Sequence, residues 1–140
     1  MRESHCKLEH ANIGVRDFDE AVRFLTTAFP EFEIRHDARS DEENPWMHIG
    51  TDSMYIALMK AADGDSRANY TGPGVNHLGF VVDDADDLKQ RLLAAGYQEG
   101  FIADPHPHRK RIYFHDADGL EWEFVQYFSD DPDERNDYSS

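Results

Sequence analysis

The sequence predicts an α+β fold built from two βαβββ modules in tandem, and three observations carry that expectation. Shifting the 140-residue chain by 67 positions lays His10 on His77, Val15 on Val82, Asp17 on Asp84 and Leu25 on Leu92. Each half then opens with a short apolar strand ending in an aspartate that can cap an amphipathic helix. Three strand-like segments follow each helix. Internal repetition at such a period marks a duplicated supersecondary unit.

The elements follow in order. LEHANIGV supplies the first strand, and Asp17 caps a helix over 18–29 whose Phe18, Val22, Leu25 and Phe29 fall on one face. Strands are expected at 32–37, 46–50 and 53–60, with DEENP at 41–45 as a polar loop. NHLGFVV, 76–82, opens the second half. Asp84 caps a helix over 85–95, with Leu88, Leu92 and Ala95 inward and Gly96 as its C-cap. Strands at 97–103, 109–115 and 120–127 complete it, the last two joined through the turn DADG. The expected organisation is one domain over 1–127, with module one at about 6–60, a linker at 61–73 and module two at about 74–127. The acidic tail, 128–140, is expected to be mobile. The curved sheet of such a fold presents a concave face suited to a ligand.

Composition narrows the function. Lysine and arginine number 14 against 29 aspartates and glutamates, a net charge of −15. A field of that sign repels phosphate backbones and anionic bilayers, so neither nucleic acid nor membrane is an expected partner. No apolar run reaches the ~20 residues of a membrane helix, and the charged N-terminus has no signal-peptide core. Cys6 is the lone cysteine, so no internal disulfide forms, and a reducing cytoplasm is the expected location.

Strand alternation assigns the side chains to faces. In 10–15, Ala11, Ile13 and Val15 face the core, which leaves His10, Asn12 and Gly14 opposite. In 76–82, Leu78, Phe80 and Val82 face the core and His77 opposes them. A bulged hairpin at DADG places Tyr113 opposite Glu123. Glu123 sits in an apolar strand, where a carboxylate is costly to bury without a partner. Two imidazoles and one carboxylate make a facial triad with open positions, so His10, His77 and Glu123 are the candidate ligands of one divalent metal: Fe, Mn, Ni, Co or Zn.

EHANIGVRDFDEAVRFL, NHLGFVVDDADDLKQRLLAAG and RIYFHDADGLEWEFVQ resemble the vicinal oxygen chelate superfamily over roughly residues 7–127. That group holds glyoxalase I, bleomycin resistance proteins, extradiol dioxygenases, methylmalonyl-CoA epimerase and fosfomycin resistance transferases. The resemblance implies a metal-dependent enzyme acting on a small oxygenated substrate, usually as a homodimer. His10, His77 and Glu123 match the family's ligand positions. Ala57 stands where glyoxalase I and the epimerases carry a fourth ligand, which makes the pattern more dioxygenase-like than glyoxalase I-like. Tyr113 matches a tyrosine beside the metal, and His48 is a candidate acid/base histidine. A tight GTDS turn would pair His48 with Tyr55 and Trp46 with Ala57, all facing the cleft. Asn12 and Trp46 join the candidate substrate-binding residues, with Arg109 and Arg111 as anion-recognising cations. Glu121 is expected at the rim, and His5, His36, His106, His108 and His115 on the surface. A non-catalytic drug- or metabolite-binding protein of the bleomycin resistance type is the alternative. A fosfomycin-type thiol transferase is another, although no clear potassium-binding loop is present.

Overall fold

The computed structural model describes residues 5–62 and 70–139. Positions 63–69 of the expected linker lie outside the described residues. The chain divides into two compact units that part within that linker, and each contains one four-stranded sheet. Among the described residues, no helix is long and apolar enough to cross a membrane.

The first unit runs β1 (His10–Val15), α1 (Phe18–Ala28), β2 (Glu33–Ala38), β3 (Trp46–Gly50) and β4 (Tyr55–Lys60). Its strand order is β1-β4-β3-β2, with β1 parallel to β4 and the other pairs antiparallel. Asp17 caps α1 by accepting the Asp19 N–H at 2.9 Å, as its position predicts. The core face of the sheet is Met47, Ile49, Ile56 and Leu58, all buried, and α1 buries Phe18, Phe24, Leu25 and Ala28.

The second unit repeats the plan with β5 (His77–Val81), α2 (Ala85–Ala94), β6 (Gln98–Ile102), β7 (Arg109–His115) and β8 (Glu121–Tyr127). Strand order is β5-β8-β7-β6, and β5 is parallel to β8. Asp84 caps α2, and Gly96 ends it at φ 91°, a left-handed conformation that glycine adopts without a Cβ penalty. Leu88 and Leu92 lie buried as α2 packs on β6, β7 and β8, and Trp122 and Phe124 of β8 are buried as well.

Three details differ from the sequence expectations. The β3–β4 register pairs His48 with Ala57 and Trp46 with Met59, while Tyr55 faces Gly50. Thr51 closes that turn by accepting from, and donating to, the backbone around Met54, so the hairpin is longer than a tight turn allows. The shift is by two residues, so His48, Trp46, Tyr55 and Ala57 keep their common face.

The second difference is the tail. It holds a short helix, α3 (Pro132–Arg135), capped by Asp131. The guanidinium of Arg109 donates to the carbonyls of Asp137, at 2.8 Å, and Arg135, at 3.2 Å. His106 is the third. Its side chain is only 5% exposed, and its Nε2 meets the Asp137 carbonyl at 3.2 Å.

Candidate metal centre

The two sheets place equivalent residues on equivalent rungs. In the second unit His77 pairs with Glu121 and Gly79 with Glu123 along β5–β8. Tyr113 pairs with Glu123 across β7–β8, as the hairpin geometry predicts. In the first unit the same rungs are His10 with Tyr55, Asn12 with Ala57, and His48 with Ala57. Tyr113 and His48 are thus topological counterparts, as are Glu123 and Ala57.

The hairpin that delivers Glu123 is fixed by Asp116. Its carboxylate accepts from the Asp118 and Leu120 N–H groups and from Trp122 Nε1 at 3.0 Å. Gly119 takes φ 86° to complete the turn. Burial pushes the Asp116 carboxyl above the usual aspartate range, and those three donors pull against it.

Around Glu123 the polar groups converge. His77 Nε2 lies 3.7 Å from Glu123 Oε2. The Tyr113 hydroxyl donates to Glu123 Oε1. Arg111 NH1 approaches the same carboxylate at 3.9 Å and the Tyr113 oxygen at 3.4 Å. A Cβ at Gly79 would stand 3.0 Å from Glu123 Oε2, so the missing side chain makes the space the carboxylate occupies. Burial first, then the hydrogen bond and charge of Glu123, push the Tyr113 phenol well above its ordinary range. It therefore stays protonated, as a donor, at neutral pH.

Behind His77 lies a second carboxylate that the sequence reading put at the rim. Glu121 is 3% exposed. Its Oε1 accepts from the Tyr70 hydroxyl, and its Oε2 accepts from the Phe101 N–H at 3.2 Å. Burial and that bond push the Tyr70 phenol up to about 12. Tyr70 and Glu121 were missed because alternation placed Glu121 on the open face without showing what covers it. No sequence signal marks Tyr70, which lies in the linker.

In the first unit, Asn12, Asn44, Trp46, His48, Ala57 and Met59 line a cavity of about 240 Å³. Rings continue along that face: His36 on Trp46 at 4.9 Å, Trp46 to His48 at 4.7 Å, His48 to Tyr55 at 4.5 Å and Tyr55 on His10 at 4.6 Å. Burial, then the nearby charges of Arg35, His10 and His36, hold the His48 imidazole below its usual range. His10 has its Nδ1 2.9 Å from Glu9 Oε1. Arg109 is engaged with the tail, so Arg111 is the cation of that pair beside Glu123.

Among the described residues no three histidine, cysteine or acidic side chains stand close enough to hold a metal. Of the three expected ligands, His77 and Glu123 stand close to each other, with His77 Nε2 3.7 Å from Glu123 Oε2.

The sequence pattern of the Glyoxalase/Bleomycin resistance protein/Dioxygenase superfamily matches residues 7–124. The chain belongs to this superfamily. Solved structures of similar fold include a glyoxylase/bleomycin resistance protein/dioxygenase domain from Frankia sp. EAN1pec, at 25% identity and TM-score 0.72, covering 89% of this chain and 99% of that one. The fosfomycin resistance protein FosX from Mesorhizobium loti matches at 23% identity and TM-score 0.62, over 84% and 89% of the two chains. FosX from Listeria monocytogenes, complexed with Mn(II) and sulfate, matches at 19% identity and TM-score 0.66, over 95% and 98%. No curated protein matches. Each unit's sheet repeats the rungs described above, and the chemistry depends on the side chains each rung carries.

Proposed function

We propose that this chain is a divalent-metal-dependent enzyme acting on a small oxygenated substrate, with His10, His77 and Glu123 as the metal ligands. The observation that carries the reading is the approach of His77 Nε2 to Glu123 Oε2 at 3.7 Å. Two ligands about 2.1 Å from one metal stand roughly 3.0–3.4 Å apart, so this pair needs only a small closing movement. The donor set fits an ion of the Mn, Fe, Co, Ni or Zn group. Superfamily membership and the Mn(II) complex of Listeria FosX support a metal.

A bound divalent ion supplies Lewis acidity to a substrate oxygen. The chain supplies the rest. The Tyr113 hydroxyl, held protonated, is placed to donate a hydrogen bond to a substrate oxygen. Arg111 offers its charge to an anionic group on the substrate. His48, held neutral near pH 7, is suited to accept a proton. Asn12 and Trp46 give the cavity of the first unit an amide and an aromatic wall for substrate contact. Ala57 on the rung equivalent to Glu123 removes a fourth ligand, which favours dioxygenase-like over glyoxalase I-like chemistry.

Arg111 beside Glu123 favours a second reading, action on a small anionic substrate. A Listeria FosX mutant is seen with Mn(II) and a dihydroxypropylphosphonic acid, a small oxygenated anion. A homodimer in the cytoplasm is the expected setting for either.

The test is metal content per chain on anaerobically purified protein, beside His77→Ala and Glu123→Ala. Near-stoichiometric metal, lost in both variants, supports the reading. Iron then directs assays to ring cleavage, and manganese to fosfomycin with and without added thiol. No metal under any loading condition sinks it and leaves a cleft-binding protein of the bleomycin resistance type.

A further inference from the structure

The Tyr70 hydroxyl has one proton and, among the described residues, two hydrogen-bonding neighbours. Its oxygen lies 3.0 Å from His77 Nδ1 and hydrogen-bonds Glu121 Oε1. A carboxylate oxygen accepts and does not donate, so the hydroxyl proton goes to Glu121. The phenol oxygen is left as an acceptor, and His77 Nδ1 must carry the hydrogen. In a neutral imidazole the lone pair then belongs to Nε2. That is the nitrogen 3.7 Å from Glu123 Oε2.

We propose that Tyr70 and Glu121 are positioning residues that lock His77 in the Nδ1–H tautomer, with its Nε2 lone pair presented beside Glu123. The proposal rests on the reading of His77 as a metal ligand. Histidine ligands commonly give their other ring N–H to such a partner, which fixes the ring and raises its basicity. Here the partner is a tyrosine backed by a buried carboxylate.

The local structure is built around that carboxylate. Between Glu99–Phe114 and Ile102–Ile112 the β6–β7 register slips, leaving Gly100 and Phe101 opposite Tyr113 alone. The bulge frees the Phe101 N–H to reach Glu121 Oε2. A Cβ at Gly100 would fall 2.5 Å from that oxygen, so only glycine leaves it room. His115 Nε2 stands 3.7 Å from the same oxygen. Tyr70 itself sits at φ 63°, alone among the described non-glycine residues in having a positive φ, and its N–H donates to Asn76 Oδ1 at 2.7 Å. A strained backbone held by a side-chain bond is the mark of a position fixed for its side chain. In the first unit, His10 Nδ1 meets the neighbouring, exposed Glu9.

The experiment is ¹⁵N NMR of the imidazoles in metal-free protein, for wild type, Tyr70→Phe and Glu121→Gln, with Mn(II) titrated into each afterwards. His77→Ala assigns the resonance and tests the ligand reading separately. Wild type should show His77 as Nδ1–H. In Glu121→Gln the amide turns its oxygen to the Phe101 N–H and its NH₂ to Tyr70. The hydroxyl proton is then released to His77 Nδ1, and the ring shifts toward Nε2–H. Tyr70→Phe should mix the tautomers. Mn(II) affinity should fall about 10–100-fold in both variants. An Nε2–H ring in wild type overturns the proposal, as does an unchanged tautomer in both variants. If His77→Ala binds Mn(II) as wild type does, the ligand reading fails while the tautomer result still decides the lock.

Discussion

Tyr113 and Glu123 are cross-strand partners, and the phenol donates its proton to the carboxylate that faces it. A hydrogen bond to a charged group contributes roughly 1.5–3 kcal/mol net. Tyr113→Phe should therefore destabilise the protein by about that amount at neutral pH, read by denaturant unfolding. The phenol's folded pKa is raised, so the folded state holds the proton more tightly than the unfolded state does. Stability from this group is complete below the ordinary tyrosine value of about 10 and declines as pH rises beyond it. Tyr113→Phe should flatten that alkaline decline, and a variant as pH-sensitive as wild type would refute the assignment.

Gly79→Ala tests the space beside Glu123. The new Cβ meets Oε2 at 3.0 Å, with no positive φ to strain the backbone. The carboxylate must give way by a few tenths of an ångström. The expected result is a folded protein within about 1 kcal/mol of wild type whose Mn(II) affinity drops roughly tenfold. Calorimetric titration reads the second number.

His48 makes a prediction on the acid side. Its imidazole is held below the ordinary value of about 6.5 by burial first, then by Arg35, His10 and His36. The unfolded chain thus takes up a proton before the folded one does. Stability from this group is complete above pH ~6.5 and falls as pH drops toward the folded value. His48→Gln should lessen that loss, measured as the difference in unfolding midpoint between pH 7 and pH 5.

Arg109 should matter to the tail and not to metal. Arg109→Ala removes two charge-assisted hydrogen bonds, both from its NH1, to the carbonyls of Arg135 and Asp137, at roughly 1.5–3 kcal/mol each at most. Amide exchange at Glu134 and Asn136, which hydrogen-bond within α3, should quicken while metal content per chain stays at the wild-type level. Loss of metal in this variant would return Arg109 to the site.

Much of the scaffold could be read from periodicity because each element obeys one rule at a time. The apolar spacing of α1 and α2, their aspartate caps and the repeat of His10 on His77 all lie within short windows. Tyr113 opposite Glu123 was legible too, because the DADG turn sets the register of β7 and β8. The β3–β4 register was not, since Thr51 bonds Met54 in a way that turn composition leaves undetermined. The short helix of the acidic tail was not expected, although Asp131 followed by Pro132 is a helix-start signal. Tyr70 and Glu121 meet across 51 positions of sequence, and no local pattern encodes such a contact.

The parallel pairing of β1 with β4 and of β5 with β8 has a consequence for how the protein is made. Each opening histidine is stitched to the strand that closes its own module, His10 to Tyr55 and His77 to Glu121. During synthesis His77 emerges from the ribosome well before Glu121, Glu123 or the strand that bears them. Closing a loop of that length delays folding until late contacts repay its entropy. A chain arrested before β8 would carry a histidine with neither its carboxylate neighbours nor its ladder. The nascent polypeptide thus lacks the His77–Glu123 pair, and those two donors come together only once the second module is whole.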